Sequence, residues 1–170
     1  MAHYIYEAIA SNAIECGKND WALKFLEKYK KIVHIDFKES SYNICMAELL
    51  FSTGKFSESL EKLSQVFPTD VKIRTRINIL LLKIFYCTNE TTSFNSLLES
   101  SRKYIIRNKT VQEINKTQFG NFLKFINKLY RIRSNEDLLH ELKPLSEKIL
   151  NCNELVSKKW MLEAVRQFGI

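Results

Sequence analysis

Apolar residues recur at helical spacing along nearly the whole chain, and turn signals interrupt them at regular intervals. Ile5, Ile9, Ala10, Ala13 and Ile14 predict a helix over 3–16, ended by Gly17, a residue at ease with positive φ. Trp21, Phe25 and Tyr29 stand at i, i+4 and i+8, with Leu23 and Leu26 beside them. They predict a second helix over 21–32 with Asp20 as its cap. Ile44, Met46, Ala47, Leu50 and Phe51 predict a third, starting at Ser40 or Ser41 and ending at Thr53, just before Gly54. Phe56, Leu60, Leu63 and Val66 mark a fourth over 56–66, stopped by Pro68. A fifth, capped by Thr69 or Asp70, reaches Tyr86. Ile77, Ile79, Leu80, Leu81, Leu82, Ile84 and Phe85 make it apolar nearly all round, as in a helix covered on both sides.

Asn89 follows where Gly17 and Gly54 closed earlier helices, and Asn is the next-best residue at positive φ. A sixth helix then runs to Ile106, and Asn108, Lys109 and Thr110 read as a turn. The longest helix, over 111–132, sets Phe119, Phe122, Ile126 and Leu129 on one face, with Leu123, Phe125 and Tyr130 beside it. Ser134 or Asn135 caps an eighth helix. Pro144 lies inside it, cannot donate to the carbonyl of His140, and must kink or split it. A last helix over 154–168 carries Leu155, Trp160, Leu162, Ala164, Val165 and Phe168. The expected core includes Trp21, Phe25, Phe56, Leu60, Leu81, Phe85, Phe122 and Ile126.

The turns repeat. Gly17, Gly54 and Asn89 each open the same turn-and-helix pattern, 37 and then 35 residues apart. A period of that length means stacked helical hairpins, none of which buries its apolar face alone. The fold class is therefore all-α: about four hairpins in a right-handed α-α superhelix, one domain over 1–170. Repeats span roughly 3–35, 39–67 and 70–106, followed by a divergent hairpin over 111–151 and a capping helix over 154–168.

Composition adds little to this. The 170 residues are 45% hydrophobic and 26% charged, with four Gly and two Pro, a scarcity of breakers that suits long helices. No apolar run is long enough to cross a membrane. No Lys or Arg precedes the apolar stretch at the N-terminus, which does not read as a secretory signal. Cys16, Cys45, Cys87 and Cys152 are scattered, without C-x-x-C or nearby His, and read as buried thiols in a reducing, cytoplasmic compartment. Charge is more informative. Of the +7 total, the stretch from Ser101 to Arg133 holds nine basic residues against Glu113 alone, a local +8. The remainder of the chain carries a net −1.

At the level of motifs the chain resembles the tetratricopeptide repeat. That motif pairs small residues in its two helices so that the backbones approach closely. Ala10 with Ala22, and Ala47 with Ser59, match that pair around Gly17 and Gly54. Phe56 matches the aromatic after the turn, and Leu26 and Leu63 the large residue of the second helix. The third copy departs, with Leu82 and Phe94 at the small positions, and Pro68 falls several positions before the usual closing proline. The match covers about 4–106. Trp21-Ala22, Phe25 to Lys30, Leu80 to Tyr86, Arg107 to Lys109 and Lys159 to Glu163 are also similar to a family of uncharacterised bacterial tetratricopeptide-like proteins. That resemblance implies a fold and no chemistry.

No catalytic, cofactor or metal signature stands out. His3, His34 and His140 lie far apart, and there is no H-E-x-x-H, paired-carboxylate box or Gly-rich phosphate loop. An enzyme is not expected, and no cofactor. In the resembled repeat the first helices line a concave face. Here that face would carry Tyr4, Glu7, Ser11, Ser41, Ile44, Glu48, Arg76, Ile79 and Lys83, mixed in charge and suited to an unidentified protein or peptide. Glu7 and Ile44 stand where a carboxylate-binding Lys/Asn clamp would begin. The alternative is the long seventh helix, where Lys116, Lys124, Lys128 and Arg131 fall on one face opposite Phe119, Phe122 and Ile126. Such a stripe suits nucleic acid or an acidic partner. Finally, the first helix begins with Tyr4, Ile5, Ile9 and Ala13 and has no polar capping unit before it. That end is expected to pack on a second copy, as a homodimer, or on further repeats of a longer chain.

Overall fold

The computed structural model describes residues 1–68, 70–108 and 112–169. Among them every regular element is a helix and none is a strand, so the chain is all-α. It forms two compact units, Met1–Asn89 and Glu90–Ile170. The division falls at the third of the repeating turns.

In the first unit, α1 (His3–Glu15) and α2 (Asn19–Tyr29) form a hairpin, with a 3-10 turn over Lys30–Ile32 after it. α3 (Ile35–Ser52) and α4 (Phe56–Ser64) form the next, and α5 (Val71–Thr88) follows. Each α1–α2 and α3–α4 pair packs along its length, and α3 also packs on α1 and α2.

The turns that define the period share one geometry. Gly17 has φ +72° and Gly54 φ +76°, and an added Cβ would meet nothing within 4 Å at either. Glycine is needed there for the backbone angle alone. After each, the next N–H closes on a carbonyl five residues back: Lys18 to Ala13 at 2.9 Å and Lys55 to Leu50 at 2.8 Å. Asn89 takes the same left-handed position with φ 59°.

Ala10, Ala22, Ala47 and Ser59 are all fully buried. The Ser59 hydroxyl donates to the Ala47 carbonyl at 2.7 Å, so its buried polar atom is satisfied. Around the first pair sits a core of Tyr6, Phe25, Leu26, Val33, Cys45, Met46 and Leu49. Tyr6 donates its hydroxyl to the Leu26 carbonyl at 2.9 Å, and burial raises its pKa. Around the second pair, Ala47, Leu63, Leu80 and Ile84 form a further core, flanked by Phe51, Phe56, Leu60, Ile77 and Leu81.

The second unit holds α6 (Thr91–Arg107), α7 (Glu113–Ser134), α8 (Leu142–Asn151) and α9 (Lys158–Arg166). α7 packs on α6 and α8, and α9 on α8. Phe119, Phe122, Leu123, Ile126 and Leu129 of α7 are buried, as are Leu145, Ile149, Met161 and Val165. Phe94 and Tyr130 stack at 4.1 Å.

Several expectations shift. Trp21 is 50% exposed instead of buried. Phe56, Leu60, Leu81 and Phe85 are half-buried, whereas Phe25, Phe122 and Ile126 are buried. α3 starts at Ile35, one and a half turns before the serines read as caps, and the ring of His34 accepts from the Asp36 N–H at 3.4 Å. Asp70 caps α5 by accepting from the Ile73 N–H at 2.9 Å, and the alternative cap Thr69 lies outside the described residues. So do Lys109 and Thr110 of the expected turn and Val111, the expected start of the seventh helix. The eighth helix divides close to Pro144, one of the two outcomes expected. A 3-10 segment over Glu136–Glu141 precedes α8, which leaves Pro144 in the first turn, where no N–H is required. α9 starts at Lys158, four residues later than expected, after Ser157 at φ 57°.

Candidate functional site

Five of the nine residues expected on one face of the first unit converge on a single polar cluster. Glu7 and Ser11 come from successive turns of α1, Ser41 and Glu48 from two turns apart on α3, and Arg76 from the second turn of α5. Arg76 is the hub. Its Nη1 donates to Glu7 Oε2 at 2.7 Å, its Nε to Glu48 Oε1 at 2.6 Å, and its Nη2 to Glu48 Oε2 at 2.8 Å. The same Nη2 lies 3.0 Å from Ser11 Oγ. The serines complete the carboxylates: Ser41 donates to Glu7 Oε1 at 2.6 Å and Ser11 to Glu48 Oε2 at 2.8 Å. The grip on Glu48 is bidentate, the geometry to which a planar guanidinium is suited and an ammonium is not.

The electrostatics follow from this enclosure. Arg76, Glu7 and Glu48 side chains are only 23%, 15% and 21% exposed. Burial disfavours charge on Glu48, but Arg76 beside it wins, with help from Ser11 and Lys83, and holds its carboxyl below the usual range. Arg76 responds in kind: burial opposes its charge, and Glu48 raises its pKa. The Cys45 thiol lies 3.6 Å from Arg76 Nη2. Burial pushes that thiol up to about 12, although Arg76 pulls the other way. At neutral pH Cys45 is therefore protonated and not a thiolate nucleophile.

The remaining expected residues separate. Ile44 is 1% exposed and offers no surface to a partner: it lies one turn before Ala47, on a flank that α3 buries. Tyr4 is 58% exposed. Ile79 is half-buried, and Lys83 is half-buried with its ammonium 5.9 Å from the Phe51 ring. Five of the nine thus form a bonded polar floor, and of the other four Tyr4 is exposed, Ile44 buried, and Ile79 and Lys83 half-buried. Cys45, which also reaches the cluster, was not among the expected residues. The one signal for it was its place in α3, three residues before Glu48.

Comparison with protein-family models, with curated proteins and with solved structures finds no match.

In the second unit, two of the four stripe cations are already engaged. Lys116 bonds Glu113 at 2.7 Å and Lys128 bonds Glu141 at 2.8 Å. Lys124 and Arg131 are exposed. Glu141 is held below the usual carboxylate range by the Lys128 hydrogen bond first, with Arg131 adding to the effect. Among the described residues, no group of three or more His, Cys, Asp or Glu side chains could hold a metal ion, and no helix is long and apolar enough to cross a membrane.

Proposed function

We propose that this chain is a non-catalytic protein-interaction scaffold of the tetratricopeptide type, working in the cytoplasm and binding a protein or peptide. The observation that carries the reading is the recurrence of one construction. The same left-handed turn and the same small-residue position return after 37 residues, with Ser59 bonded to Ala47 where the motif brings two backbones together. In such repeats the first helices present the ligand face. Here the Arg76 cluster stiffens that face, and Tyr4, Ile79 and Lys83 supply apolar and cationic contacts to an extended segment. The mixed floor disfavours ligands of a single charge.

The test is affinity capture from the native source with the wild-type chain and a Tyr4→Ala/Lys83→Glu double variant. A protein retained by the first and lost by the second supports the reading. Equal recovery by both sinks it.

A second reading has one observation in its favour. The second unit carries fourteen Lys and Arg against nine Asp and Glu, with Lys124 and Arg131 exposed on α7. Retention on generic DNA with a steep salt slope, abolished by Lys124→Glu/Arg131→Glu, would favour a polyanion-binding role over the scaffold.

A further inference from the structure

We infer that one edge of the first unit, formed by the connections between its hairpins, is a membrane-contact surface fitted to anionic phospholipid. α1–α2 and α3–α4 are antiparallel hairpins, so the turns at Gly17 and Gly54 lie at one end of the unit and the connections into α3 and α5 at the other. The two ends differ in what they expose. Among the described residues, the turns 16–18 and 53–55 expose no large apolar side chain. At the other end Ile32, Ile35 and Phe67 are 51%, 73% and 81% exposed. The connection after α6 in the second unit repeats this composition, with Ile106, Arg107 and Ile114 all exposed around it.

The charge at this edge complements an anionic surface. Over 30–39 and 65–74 the chain carries five Lys and Arg against three Asp and Glu, a net +2. The acids are engaged locally. Glu39 pairs with Lys30 at 2.9 Å, Asp36 lies 3.4 Å from the His34 ring, and Asp70 accepts from the Ile73 N–H at 2.9 Å. Lys31, Lys38 and Lys72 enter no ion pair among the described residues, and Lys31 and Lys72 are exposed. The apolar side chains thus stand beside uncompensated ammonium groups, the pairing of an apolar layer with a cationic rim that interfacial binding requires.

The chemistry favours lipid over protein as the occupant. Ile32, Ile35 and Phe67 project from two separate connections, so a protein would need a pocket for each, whereas the fluid acyl boundary takes in each side chain on its own. The unpaired charge is lysine, which is depleted from protein interfaces. Beside an anionic leaflet each such ammonium strengthens binding roughly fivefold, and three together about a hundredfold. The contact is with the membrane surface alone, since no helix among the described residues is long and apolar enough to cross. It goes beyond the scaffold reading by placing that scaffold on a surface.

The experiment is flotation of the full chain with vesicles of phosphatidylcholine, alone or with roughly 30% phosphatidylserine, across roughly 50 to 500 mM salt. The variants are Ile35→Ser/Phe67→Ser, Lys31→Gln/Lys72→Gln and, in the second unit, Lys124→Gln/Arg131→Gln. All six side chains are exposed, and far-UV circular dichroism confirms folding. The wild type is expected to float with the phosphatidylserine vesicles, less as salt rises, and not with phosphatidylcholine alone. Ile35→Ser/Phe67→Ser should weaken binding about tenfold with the salt dependence intact. Lys31→Gln/Lys72→Gln should weaken it about thirtyfold and flatten the salt dependence, and the second-unit pair should change it less than about twofold. A wild type that floats with neither vesicle overturns the proposal and leaves this edge to a protein. Equal flotation with both vesicles also overturns it, since charge then selects nothing. So does a loss at Lys124 and Arg131 that matches the loss at Lys31 and Lys72, because the binding is then net charge without a site. None of these variants alters Tyr4 or Lys83, so failure here leaves the capture test of the scaffold untouched.

Discussion

Arg76 meets Glu7 at 2.7 Å across 69 residues of chain. Burial opposes the charge on Arg76, and Glu48 first, with Glu7 adding to it, restores that charge. Removing the hub strands two carboxylates, which costs more than the pair itself contributes. Arg76→Ala is expected to destabilise the protein by about 3 kcal/mol in urea denaturation. Arg76→Lys should recover less than half of that, because an ammonium cannot bond Glu48 through two parallel N–H groups. Full rescue by lysine would show that charge alone, and not the fork, holds the cluster.

Acid should act through Glu48. Its folded pKa is depressed, so its contribution is complete above the unfolded value, 4.5, and is lost as pH falls through the folded value. Stability of the wild type is expected to decline as pH drops below about 4.5, and a Glu48→Gln variant should show a shallower decline from a lower starting point. Parallel curves for the two would remove Glu48 from the account.

Thiol reactivity should separate the cysteines. Cys45 is buried with its pKa raised, and Cys16 is exposed. Under native conditions near pH 7.5, a thiol reagent should label Cys16 within minutes and Cys45 only on unfolding. Mass spectrometry of partially labelled protein reads this directly. Early modification of Cys45 would mean that the α1–α3–α5 cluster opens readily.

The repeating turns make a backbone prediction. At Gly54 an added Cβ meets no neighbour, so Gly54→Ala reports the left-handed conformation alone, roughly 1 kcal/mol. Asn89→Gly, at the same turn position, should be neutral or slightly stabilising, since glycine is the more usual residue there. A loss above about 3 kcal/mol at Gly54 would require a steric cause that the structure does not contain.

The helices were legible because their apolar spacing and their breakers agree: Gly17, Gly54 and Asn89 stop helices where the stripes end. Details failed where a local signal met a longer-range one. Ser40 and Ser41 carry a capping preference, but Ser41 sits mid-helix and spends its hydroxyl on Glu7 across to α1. Trp21, Phe25 and Tyr29 read as one buried stripe, yet a spacing of four drifts around a helix of 3.6 residues per turn. Phe25 falls in the core and Trp21 at its edge. The resemblance grouped Glu7, Ser11, Ser41, Glu48 and Arg76 on the first helix of each hairpin, and the structure brings these five together. Their mutual bonding was not legible, because it depends on how far three helices are staggered along their axes, which no residue in any one of them encodes.

In a stack where each hairpin touches only its neighbour, the ends can fray one at a time and unfolding can halt at any boundary. Arg76 breaks that independence. From α5 it grips α3 and reaches past it to α1, so α1 cannot peel away without stripping a charge from α5. The first unit is thereby tied into a single cooperative block, in which losing its first helix means losing the rest.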